Sequence, residues 1–75
     1  MLNAKETQDI LEVYFEECLR FWAGSMKVRD MRKAHELALQ DVRCIKHDPF
    51  SPYGDLLDVE THKKFIQSYE NILEI

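Results

Sequence analysis

Few side chains in this 75-residue chain are equipped for bond-making chemistry. They are Cys18 and Cys44, the histidines His35, His47 and His62, and the adjacent carboxylates Glu16 and Glu17. A structural zinc site needs four converging ligands. Cys44 and His47 have two residues between them, and no second Cys-x-x-Cys or paired histidine completes a set. Neither cysteine falls at the start of an expected helix, where its thiolate would be stabilised. Glu16 and Glu17, being consecutive, point in different directions on a helix. Gly24 and Gly54 alone cannot build a phosphate-cradling loop. The expectation is a non-catalytic protein with no metal and no cofactor.

A second kind of chemistry, anion contact, has better candidates. Lys27, Arg29, Arg32 and Lys33 crowd one short stretch. They belong to the basic segment 24–47, of net charge +3, set between segments 1–23 and 48–75 of net charge −3 and −4. The four cations span two helical turns and cannot all lie on one side. No helix-turn-helix spacing accompanies them. An overall charge of −4 also opposes tight phosphate contact. Nucleic-acid binding through the start of the second helix is therefore the alternative expectation. Attraction between the basic segment and its acidic neighbours within the fold is the leading one.

His35 sits in the string Lys33-Ala34-His35-Glu36-Leu37, which resembles the Ala-His-x-Leu motif of histidine phosphotransfer domains over four or five residues. The Lys-Gly that follows in that family is here Ala38-Leu39. The resemblance implies a helical bundle with a phosphorylatable histidine facing water. Helical spacing places His35 on the apolar stripe instead, as a hydrogen-bonded core residue.

Three helix-period runs position these residues. Ile10, Leu11, Tyr14, Phe15, Cys18, Leu19, Phe21 and Trp22 form adjacent rows at spacings of three and four, with Glu12, Glu16 and Arg20 opposite. Asn3 with Glu6 reads as a capping box, and Thr7 as a second candidate cap. Ser25 reads as the cap of the next helix and Gly24 as the residue ending the first. Val28, Met31, His35, Ala38, Val42 and Ile45 then make one narrow stripe. Pro49 ends it. The segment Asp48–Asp55 reads as a proline-restricted connector in which Phe50 or Tyr53 packs back on the core. Asp58 caps a last helix whose stripe is His62, Phe65, Ile66, Tyr69, Ile72 and Leu73. The expected helices are about 7–23, 25–47 and 58–74, the first two joined as a hairpin.

The expected fold is therefore all-α: residues 1–75 as a single domain, a small three-helix bundle built on an α-hairpin. A chain this short holds one core. Two cysteines are too few for a disulfide framework, which fits a reducing, cytoplasmic setting. No apolar run is long enough to cross a membrane, so a membrane is not an expected partner. The aromatic face of the first helix is broader than the Ala, Val and Met stripes opposite it can cover. A homodimer is expected from this surplus, or a protein partner, with Leu11, Tyr14, Phe15, Leu19 and Trp22 at the interface.

Overall fold

The computed structural model describes residues 1–48 and 53–74, and the protein is all-α, with no strand among those residues. Helix α1 spans Ala4–Arg20. The expected capping box is present: Asn3 Oδ1 accepts the Glu6 N–H at 2.8 Å, and Glu6 Oε1 accepts the Asn3 N–H at 3.2 Å. These bonds satisfy amides that the first turn leaves without helical partners. The helix therefore begins three residues before the expected start at 7. Thr7 is not a cap. It is fully buried, and its Oγ1 accepts the Asp58 N–H at 2.9 Å, tying the start of α1 to the residue that caps the last helix.

The junction after α1 differs from expectation. Rather than stopping at Gly24, the helix widens into a single π turn, Phe21–Ser25, in which the Met26 N–H reaches the Phe21 carbonyl at 2.9 Å. Gly24 does not adopt a left-handed conformation. Lys27 does, at φ 54°, a region that non-glycine residues seldom occupy. The Val28 N–H then returns to the Trp22 carbonyl at 2.9 Å. Helix α2 consequently spans Met31–Arg43 instead of beginning at 25. Its cap is Asp30, whose Oδ1 accepts the N–H groups of Arg32 and Lys33 at 3.0 and 3.3 Å. Ser25 and Asp30 are both competent caps by type. Asp30 prevails because residues 26–28 are bonded back to the π turn and cannot belong to the next helix.

After α2 come a 3₁₀ turn, Ile45–His47, and another, Gly54–Leu56. Pro49, Phe50, Ser51 and Pro52 lie outside the described residues, and with them the expectation for Phe50 and most of the Ser51–Gly54 turn. Tyr53 is exposed. Helix α3 spans Val59–Leu73, capped as expected by Asp58, whose Oδ2 accepts from the Thr61 N–H at 3.1 Å and the Thr61 hydroxyl at 2.6 Å. Those two bonds hold the Asp58 carboxyl below its ordinary range.

Each helix packs on both others. The core consists of Leu11 and Phe15 from α1, Ala38, Leu39 and Val42 from α2, and Phe65 from α3, with Ile45 from the first 3₁₀ turn and Leu57 just after the second. Phe15 carries the aromatic part: its ring centroid lies 4.4 Å from Tyr69 and 6.1 Å from Phe65. Polar ties cross the same seams. His62 Nε2 donates to the Val42 carbonyl at 2.8 Å, and Arg43 pairs with Glu70 at 2.6 Å.

Candidate interaction surfaces

The five side chains expected at an interface have divided fates. Leu11 is fully buried and Phe15 nearly so, both within the single copy. Tyr14, Leu19 and Trp22 are half-buried against that core. Tyr14 and Trp22 are also held by their polar ends. The Tyr14 hydroxyl donates to Asp48 Oδ2 at 2.7 Å, and Trp22 Nε1 donates to Asp41 Oδ2 at 2.8 Å. α3 supplies the covering that the narrow stripe of α2 lacks, because Tyr69 packs tilted against Phe15 and Phe65 meets it edge-on. The apolar surplus that motivated the interface is thus largely absorbed by the fold.

What α1 leaves outside is a different stripe. Asp9, Glu12, Val13, Glu16, Glu17 and Arg20 are all exposed, and their spacings of three and four put them on one side. Val13, 58% exposed, is the large apolar group in that charged row, while Phe21, 48% exposed and just past α1, borders a cleft it shares with Tyr14 and Cys18. Glu16 and Arg20 pair at 2.7 Å, the i,i+4 contact that their spacing promised.

The cations Lys27, Arg29, Arg32 and Lys33 fall in the connection from the π turn to α2 and in the first turn of α2. All four are exposed. Lys27 and Arg29 precede α2 rather than lying in its first turns. Arg32 reaches Glu36 at 3.4 Å. Among the described residues, Lys27, Arg29 and Lys33 have no ion-pair partner. Met26 and Met31 stand between them, 54% and 52% exposed. Met31, expected on the buried stripe, is instead the first residue of α2 and stays exposed.

Between α1 and the far end of α2 runs an open cleft of about 570 Å³, lined by Tyr14, Cys18, Phe21, Asp41, Cys44, His47 and Asp48. Burial, with the charge of Asp41 beside it, pushes the Cys18 thiol up to about 12. Burial and the bond to Asp48 raise the Tyr14 phenol well above its usual range. Both groups stay protonated at neutral pH, where a thiol is a poor nucleophile. Among the described residues no three His, Cys, Asp or Glu side chains converge as a metal site would require.

His35 is half-exposed, not enclosed. Its Nδ1 lies 2.6 Å from the Met31 carbonyl, so that nitrogen carries the proton, and its ring is 6.0 Å from that of Phe15. No helix of the described residues is long and apolar enough to cross a membrane.

Sequence reasoning placed Phe21 on the aromatic face without assigning it to an interface, and it missed Met26, Asp41 and Asp48. The two aspartates carried a signal of sorts, since half-buried Tyr and Trp usually need an acceptor. Nothing in the spacing named which acceptor. Comparison of the chain with protein-family models, with curated proteins and with solved structures finds no match.

Proposed function

We propose that this chain is a small three-helix bundle built on an α-hairpin that acts as a non-catalytic interaction module, associating as a homodimer through the outer side of α1. The observation that supports this reading is that Val13 on α1 and Phe21 just past its end stay 58% and 48% exposed while Leu11 and Phe15 are covered. Large apolar side chains left bare at helical spacing mark a contact surface more often than isolated ones do. Leu11 and Phe15 contribute indirectly, by holding α1 in place. Tyr14 and Trp22 border the contact beside Phe21.

The absence of a catalytic role rests on the chemistry of the cleft. Its Cys18 thiol is protonated at neutral pH, and its two carboxylates already accept hydrogen bonds from Tyr14 and Trp22. Neither is poised as a base toward a substrate atom.

Nucleic-acid binding through Lys27, Arg29, Arg32 and Lys33 is the second reading, favoured by the absence of an ion-pair partner for Lys27, Arg29 and Lys33 among the described residues. It has weaker support. The amides at the start of α2, which would otherwise receive a phosphate, are already taken by Asp30. Sedimentation equilibrium tests the main reading, with a mass near twice 8.9 kDa expected for the wild type. A low-salt titration against duplex DNA tests the second.

A further inference from the structure

The outer side of α1 and the basic end beside it are oppositely charged. Asp9, Glu12, Glu16 and Glu17 put four carboxylates along the exposed stripe of α1 against one cation, Arg20, which pairs with Glu16; after α1 the exposed Lys27, Arg29, Arg32 and Lys33 outnumber the one exposed acid among them, Asp30. Val13 lies within the acidic length and Phe21 at its border with the basic end. A surface arranged in this way complements itself. When two copies meet with their α1 helices antiparallel, the acidic length of each runs beside the basic end of the other. A two-fold axis makes both contacts at once, because whatever residue one copy offers is met by its complement on the second.

We infer that a second copy of this chain is the occupant of the basic end, which docks Lys27, Arg29 and Lys33 against Glu12, Glu16 and Glu17 of the other copy in a reciprocal, antiparallel pair. This rests on the self-association proposed above and assigns it a geometry. Three observations support it over an unrelated anion. Lys27, Arg29 and Lys33 have no internal ion pair among the described residues. The amides at the start of α2 are capped by Asp30, so the patch offers long flexible cations rather than a built phosphate pocket. The apolar groups beside the cations, Met26, Met31 and Phe21, suit a protein surface carrying Val13 better than a sugar–phosphate backbone. An extended polyanion would also face the acidic remainder of the molecule. A helix laid along the end meets mainly the nearby cations, because charges more than about 8 Å away are screened at physiological salt.

Complementary charge reversal tests this. Arg29→Glu with Lys33→Glu forms one variant, and Glu12→Lys with Glu16→Lys the other. All four positions are exposed, and circular dichroism verifies that each variant is helical. The wild type is expected at twice 8.9 kDa in about 50 mM salt, shifting toward a single chain at about 500 mM, where the screening length falls to about 4 Å. Each variant alone is expected at the mass of one chain, and an equimolar mixture of the two at the mass of a pair. A helical pair of variants that stays monomeric when mixed overturns the inference. So does a wild-type mass insensitive to salt. If the charge variants dimerise like wild type while Phe21→Glu does not, the geometry fails and self-association through α1 stands. A wild type that is monomeric throughout removes both, and association of the wild type with duplex DNA in place of itself transfers the basic end to the nucleic-acid reading.

Discussion

Trp22 on the π turn donates its indole N–H to Asp41 on α2 across 2.8 Å, joining the end of one helix to the last turns of the next. The same residue's backbone carbonyl accepts the Val28 N–H, so it also ties down the connection between the two helices. A bond to a charged acceptor that is only partly buried contributes about 1.5 kcal/mol. Trp22→Phe, which keeps an aromatic ring and removes the donor, is expected to lower unfolding free energy by about that amount in urea titrations followed by circular dichroism. An unchanged midpoint would show that the bond adds nothing.

Thr7 offers a second check, because it reaches from α1 to the cap of α3. Replacing it with Val keeps the shape and leaves the Asp58 N–H without an acceptor. The expected cost is about 1–3 kcal/mol, the penalty for a buried donor left unpaired. Thr7→Ser, which retains the oxygen, is expected to lose less. A harmless Thr7→Val beside a costly Thr7→Ser would mean the methyl group matters and the hydroxyl does not.

These two residues also show what the sequence makes legible. The Asn3–Glu6 box and the Asp58 cap depend on neighbours three residues apart, and both were readable before the fold was known. Thr7 looked equally capable of capping, and only the arrival of α3 decides that it bonds elsewhere. The start of α2 escaped for the same reason: Ser25 and Asp30 are interchangeable by type, and a tertiary bond from Val28 to Trp22 selects between them. Periodicity gave the breadth of the aromatic face on α1 correctly. It could not say that Phe65 and Tyr69 would lie across Phe15, so Leu11 and Phe15 were assigned to an interface when the core holds them.

Gly54 is required for close approach, not for a left-handed turn. A Cβ there would stand 2.8 Å from both the Ile45 carbonyl oxygen and the Lys46 Cα, and backbone atoms cannot swing aside. Gly54→Ala is expected to destabilise the protein by about 1–3 kcal/mol through forced displacement of the two 3₁₀ turns. The matching control is Gly24→Ala, which meets nothing within 4 Å. If Gly54→Ala proves as harmless as Gly24→Ala, the two turns are not packed as described.

The cleft predicts a pH dependence whose sign is determined by its two protonated groups. Cys18 is raised from 9.0 to about 12 and Tyr14 is raised from 10.0, so folding favours the protonated form of each. The stability they add is complete below about pH 9 and drains as the pH climbs toward 12. Compared with a Tyr14→Phe/Cys18→Ala variant, the wild type is expected to lose Tm progressively above pH 9, while the difference between them stays constant below it. Iodoacetamide at about pH 8 should alkylate the exposed Cys44 alone in the native protein and both thiols in urea. Rapid native labelling of Cys18 would contradict its half-buried, protonated state.

The central claim is that α1 presents a contact surface to a second copy, and the mass of the Phe21→Glu variant beside the wild type tests it most directly. By sedimentation equilibrium in low salt, the wild type is expected at twice 8.9 kDa and Phe21→Glu at 8.9 kDa, both equally helical. A wild-type mass of one chain at every concentration, or a Phe21→Glu variant that pairs as tightly as wild type, would contradict the account.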